Sequence, residues 1–125
     1  CCSNGVFCDN GDGQISHVSF VSAGLSGILP TLLARMSALT YIALFDNAIE
    51  STLPTELGDL TSLEYLKLQA NVLRGTLPTE IGNWAQLIEF AADRNALRGT
   101  LPTEIAAWSK IDRFAVHHNA LSGTL

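Results

Sequence analysis

Three histidines, three cysteines and twelve carboxylates carry most of the chemistry open to this 125-residue chain. A structural zinc site needs four ligands held together, whereas His117 with Asp93 offers two and His17 lies a hundred positions away in sequence. Nucleophilic catalysis needs a Ser or Cys beside a base that a third group orients. The serines here are scattered, and no G-x-S-x-G, phosphate-loop or dinucleotide-binding motif occurs. No catalytic residues, metal site or cofactor are therefore expected, and the chain reads as a non-enzyme. Seven basic against twelve acidic side chains, with a pI near 4.9, give no electrostatic footprint for nucleic acid or for an anionic membrane.

The segment Asp9-Asn10-Gly11-Asp12-Gly13-Gln14-Ile15 is spaced like the middle of a calcium loop. Such a loop would place Cys8 at its first position and Ser19 at its twelfth, where a bidentate glutamate is required. It fails at both charge-bearing ends, so a glycine-rich turn is the expected reading. Histidine, acid and hydroxyl chemistry thus give way to the question of which elements position these side chains.

The positioning element is a repeat. Pro30, Pro54, Pro78 and Pro102 stand 24 residues apart, as do Asn47, Asn71, Asn95 and Asn119. Gly27, Gly75, Gly99 and Gly123 keep the same step, with Ser51 in the one vacancy. Leu39, Ile42, Leu44, Asn47 and Ile49 recur as Leu63, Leu66, Leu68, Asn71 and Leu73, then as Leu87, Phe90, Ala92, Asn95 and Leu97, and again as Ile111, Phe114, Val116, Asn119 and Leu121. This is the L-x-x-L-x-L-x-x-N-x-L pattern of a leucine-rich repeat. With the extension Leu73-Arg74-Gly75-Thr76-Leu77-Pro78 it resembles the plant-type class of receptor-kinase ectodomains and polygalacturonase-inhibiting proteins.

The resemblance implies an α/β solenoid of about five rungs, with a parallel sheet on the concave side and short 3₁₀ turns on the convex side. Residues 15–125 would form five units, the last incomplete, and residues 1–14 the end of an N-terminal cysteine cap. The physics agrees: in Leu66-Lys67-Leu68 the leucines point inward and the lysine outward, and one such strand buries its apolar face only by stacking on its like. The asparagines are expected to satisfy backbone groups at the bend after each strand. Trp84 and Trp108, in the column of Met36 and Leu60, read as convex core filling. Pro78 suits the first position of a helical turn, with Glu80 favoured by the turn's dipole. Ala23, where an asparagine is due, marks an atypical first rung.

Cys1-Cys2-Ser3-Asn4-Gly5-Val6-Phe7-Cys8-Asp9 is similar to the C-C-x-W-x-G-V-x-C-D end of the family's cap, without its tryptophan. The resemblance implies a disulfide, expected as Cys2–Cys8 with Cys1–Cys8 as the alternative, and a mate for the remaining cysteine upstream in a cap helix. Reduced thiols are the competing reading, and Cys1-x₆-Cys8 lacks zinc-finger spacing. The sequence is expected to be a soluble, processed or trimmed piece of a secreted or cell-surface protein. The usual glycan mark of secretion is missing, because no Asn-x-Ser/Thr acceptor occurs. At the other end, Leu125 precedes the expected proline with no capping motif, so further repeats or end-to-end self-association through the last rung are expected.

What remains for function is surface. With strands about 4.8 Å apart, His17 and the pair His117 and His118 stand about 19 Å apart and cannot share a metal. Outward columns are expected to be His17, Tyr41, Tyr65, Glu89 and Arg113; Ser19, Ala43, Lys67, Ala91 and Ala115; and Val21, Phe45, Gln69, Asp93 and His117, flanked by Ser22, Asp46, Ala70, Arg94 and His118. Tyr41, Phe45 and Tyr65 cluster as recognition anchors, and Glu89, Asp93, Arg94 and Arg113 charge the far end. The expected partner is a protein or peptide, with a cell-wall glycan as a variant and no nucleic acid. A second surface competes: Thr52, Thr76, Thr100 and Thr124, and Thr31, Thr55, Thr79 and Thr103, rank at rung spacing like the faces of ice-binding solenoids. Against it, Ile28 breaks the first column, threonine is a good strand residue, and Thr79 is placed to cap its turn.

Overall fold

The computed structural model describes residues 6–8 and 13–123. Its governing feature is that each 24-residue unit closes one rung, so that side chains 24 apart become neighbours. The strands β1 (Val6–Cys8), β2 (Ile15–Ser19), β4 (Tyr41–Ala43), β6 (Tyr65–Lys67), β8 (Glu89–Ala91) and β10 (Arg113–Ala115) form one sheet in that order. From β2 onward every pair is parallel and in the register of the repeat: His17 faces Tyr41, Tyr41 faces Tyr65, Tyr65 faces Glu89 and Glu89 faces Arg113. β1 runs antiparallel along the outer edge of β2, pairing Val6 with Val18. Cys2 of the expected Cys2–Cys8 bridge and residues 9–12 of the calcium-like segment lie outside the described residues.

A flank of short strands was not foreseen from the repeat. β3 (Ser26–Gly27) pairs with β5 (Ala48–Ile49), and β7 (Arg74–Gly75), β9 (Ala96–Thr100) and β11 (Ala120–Ser122) form a second parallel ladder. β7, β9 and β11 come from the Leu-x-Gly-Thr segments, whose alternation is too short to read as strands in isolation. Glycine is required there: Gly75 and Gly99 have φ of 80° and 83°. A Cβ on either would lie 3.0 and 2.9 Å from the Cγ2 methyl of Thr52 and Thr76, one rung earlier.

On the convex side run 3₁₀ turns at Thr31–Arg35, Thr55–Asp59, Thr79–Asn83 and Thr103–Ala107. Proline is the cap residue before each turn, in extended conformation, rather than the first residue inside it. The expectation that Thr79 caps the turn therefore fails by one residue. The threonine is already helical, and its hydroxyl faces the Glu80 carboxylate at 3.3 Å.

The core is a set of columns. Leu39, Leu63 and Leu87, and Ile42, Leu66 and Phe90, are all buried. Trp84 is fully buried and Trp108 nearly so, their rings stacked at 6.4 Å. Each indole Nε1 donates to a carbonyl one rung earlier, Trp84 to Leu57 at 2.9 Å and Trp108 to Ile81 at 2.8 Å, which satisfies a polar edge that burial would otherwise penalise.

The asparagine ladder works in the same direction. Asn71 donates from Nδ2 to Leu44 O at 2.9 Å and Leu68 O at 3.1 Å, and its Oδ1 accepts from Ile49 N at 3.0 Å. Asn95 and Asn119 repeat this scheme. Asn47 additionally accepts from Ala23 N at 3.0 Å, so the rung that lacks its own asparagine is served by the next. Just before each ladder position the chain adopts a left-handed conformation, at Ser22, Asp46, Ala70, Arg94 and His118, with φ of 50° to 57°.

Candidate functional site

Because β2, β4, β6, β8 and β10 alternate, Val18, Ile42, Leu66, Phe90 and Phe114 enter the core while His17, Tyr41, Tyr65, Glu89 and Arg113 line the concave face. The face divides in two. At the N-terminal half His17, Tyr41 and Tyr65 stack in succession, with ring centroids 5.4 and 5.7 Å apart and planes at 24° and 46°. Lys67 Nζ lies 5.5 Å from the centre of the Tyr41 ring. Tyr41 and Tyr65 are half-buried with their rings packed against one another, and Phe45, outside this stack, is half-buried as well. A platform for stacking sugar rings needs free ring faces, which this arrangement reduces.

The C-terminal half is charged and follows a depth order. Glu89 and Asp93 lie deep, with 13% and 10% of their side-chain surface exposed, while Arg113, Arg94 and His117 stand out at 74%, 65% and 58%. Glu89 is approached by Lys67 Nζ at 3.6 Å and Arg113 at 3.8 Å. Asp93 is approached by His117 Nε2 at 3.5 Å and Arg94 Nε at 3.7 Å. Between these residues opens a cavity of about 280 Å³ above Ala91 and Ala115, bordered by Gln69, Glu89, Asp93 and Arg113. The sequence columns placed Gln69, Glu89, Asp93 and Arg113 together. They did not reveal the recess, which exists because two alanines follow Lys67 in the central column.

The second surface is placed as follows. Thr52, Thr76 and Thr100 are exposed along the flank, and Thr55, Thr79 and Thr103 are exposed at the start of the convex turns. Thr124 lies outside the described residues. A column of Glu50, Arg74 and Arg98, also exposed, runs beside the flank threonines, with Arg74 and Glu50 paired at 3.0 Å. Ile28, the residue in register with Thr52, is a large exposed apolar side chain. Among the described residues no group of three or more His, Cys, Asp or Glu gathers as a metal site, and no helix is long and apolar enough to cross a membrane.

Comparison with known proteins meets this geometry. The Leucine Rich Repeat family model matches residues 62–84. The BIR2 ectodomain of Arabidopsis thaliana superimposes with a TM-score of 0.91 at 30% identity, over 95% of this chain and 63% of that one. A chain of the BIR3–SERK2 complex from the same plant gives 0.89 at 28% identity, over 95% and 64%. This chain thus spans slightly less than two thirds of either. A plant ice-binding protein shares the fold, with a TM-score of 0.83 at 21% identity over 97% of this chain and 47% of that one. The comparison with curated protein sequences returns no match. On repeat length, register and these likenesses together, the chain is a plant-type leucine-rich repeat solenoid.

Proposed function

We propose that the chain is an extracellular, non-catalytic recognition module that binds a protein or peptide along its concave face. Tyr41, Phe45, Tyr65, Lys67, Gln69, Glu89, Asp93, Arg94, Arg113 and His117 are the contact residues of this reading. The observation that carries it is the concave face itself, where half-buried aromatics and a charged recess stand side by side on a rigid sheet in fixed register. Rigid scaffolds lose little entropy on binding, and aromatic and arginine side chains are the usual energetic centres of an interface. The BIR3–SERK2 complex, built on the same fold at 28% identity, is an assembly of proteins and supports the reading by analogy. A standard interface takes about 800 Å² from each partner, and an extended peptide laid across the strands would use the whole sheet. Selection of displayed random linear peptides on the intact protein tests it. Enriched peptides should lose binding to a variant with Tyr41, Phe45 and Tyr65 all changed to alanine, while its circular dichroism stays native. Undiminished binding to that variant refutes the reading.

The exposed register of Thr52, Thr76 and Thr100 favours a second reading, binding to an ordered surface such as ice through the flank. The charged column beside those threonines weighs against it. Recrystallisation inhibition by the protein, lost in Thr76→Tyr, would support this reading, and absence of inhibition refutes it.

A further inference from the structure

The recess on the concave face has unmet hydrogen-bonding capacity of one kind. Gln69 Oε1 is buried with no hydrogen-bond partner, a state that costs free energy unless a donor arrives. The Glu89 and Asp93 carboxylates beside it have side-chain nitrogen contacts of 3.5 to 3.8 Å from Lys67, Arg113, Arg94 and His117, longer than the roughly 2.7–2.9 Å of a charge-assisted hydrogen bond. Among the described residues, three polar ones are buried: the Ser16 and Ser51 hydroxyls have partners at 2.9 and 2.8 Å, whereas the Asp93 carboxylate has these longer contacts. Acceptors therefore line the depth of the site. The Arg113 and Arg94 guanidinium groups and the His117 imidazole stand on its exposed rim, while the Lys67 ammonium, on a side chain 24% exposed, reaches Glu89 from the preceding rung. The floor of Ala91 and Ala115 leaves a volume of about 280 Å³, against a share of about 30 Å³ for one water in the liquid.

Resting on the concave-face reading above, we infer that this recess receives the guanidinium of an arginine side chain presented by the bound peptide. The group is planar, permanently charged and carries five N–H donors in a fixed fork. It can satisfy Gln69 Oε1 and two carboxylates from one position, which a neutral amide cannot do with charge and an ammonium cannot do in a plane. Arg113 and Arg94, displaced from Glu89 and Asp93, turn to solvent, and the arriving guanidinium takes their place beside the two mostly buried carboxylates, so neither is left unpaired.

The test uses N-acetyl-arginine amide, titrated into the intact protein and followed by the NMR signals of the Ala91 and Ala115 methyls and the Glu89 and Asp93 carboxyl carbons. Saturable shifts at these four residues are expected, weakened about tenfold or more by N-acetyl-citrulline amide, N-acetyl-lysine amide or the isosteric Asp93→Asn variant. No saturable response, an equal response to citrulline or lysine, or an unchanged response in Asp93→Asn overturns the assignment. The peptide selection keeps this separate from the broader reading. Enriched peptides that need Tyr41, Phe45 and Tyr65 but carry no recurrent arginine overturn the guanidinium recess and leave peptide binding standing. Failure to enrich any concave-face peptide overturns peptide binding, and with it the natural source of the arginine, whatever the amide probe does.

Discussion

Gly82→Ala is the substitution on which local propensity and rung stacking disagree about sign. Gly82 sits within a convex 3₁₀ turn at an ordinary negative φ, where alanine would ordinarily gain about 0.5–1 kcal/mol over glycine. A Cβ at this position, however, would lie 2.6 Å from Glu104 Cβ and 2.8 Å from Glu104 O. Carbon contacts are optimal at about 3.5–4.0 Å, so the overlap with Glu104 Cβ is near 1 Å, and the second atom, too close as well, is backbone that cannot rotate away. Overpacking of this kind costs about 1–3 kcal/mol. Less the propensity gain, the net loss is about 0–2.5 kcal/mol with a midpoint a little above 1, a fall in Tm of about 5 °C at that midpoint for a chain of this size. Thermal melts followed by circular dichroism read it directly. Ala106, the residue 24 positions on, is exposed, and Ala106→Gly serves as the control, costing only the propensity of about 0.5–1 kcal/mol. A Gly82→Ala protein that melts at or above the parent temperature would refute the close approach of adjacent turns.

Asn95→Ala should destabilise by about 1–3 kcal/mol, since it removes the side-chain acceptor of Leu73 N and one of two asparagine donors from each of Leu68 O and Ala92 O, which keep Asn71 and Asn119; a denaturant midpoint close to that of the parent would contradict the ladder. Ala70→Gly should stabilise by up to about 1 kcal/mol, because Ala70 holds φ of 56° and a Cβ is penalised there; urea unfolding decides, and a lower midpoint counts against it. Trp84→Phe should cost about 1–3 kcal/mol, through the loss of the 2.9 Å bond to the Leu57 carbonyl, which keeps only Leu60 N at 3.1 Å, and the space left by the smaller ring; the same measurement checks it, and a loss below about 0.5 kcal/mol would show that bond and packing contribute little.

The period of the prolines and asparagines made the rung and its register legible, because a fixed 24-residue step leaves one way for Tyr41, Tyr65 and Glu89 to align. The burial of Trp84 and Trp108 was legible for the same reason. What escaped the sequence depends on volume between rungs rather than on residue type within one. The flank strands need Gly75 and Gly99 to accept the methyls of Thr52 and Thr76, and nothing in a single repeat announces that contact. The recess arises from alanine at two successive positions, and the orphaned Gln69 oxygen from how deep its neighbours leave it. Column membership says which way a side chain points. How far it is from water is decided by the rungs on either side.

The backward reach of the ladder has a temporal meaning. Asn71 closes bonds on Leu44 and Ile49, Asn95 on Leu68 and Leu73, and Trp84 on Leu57. Each described turn before the last is thus finished by an amide, and two of them also by an indole, that is synthesised a full unit later. A nascent chain leaving the ribosome would hold its newest turn incomplete until the following unit emerges, so maturation sweeps from the first rung to the last, always one step behind synthesis.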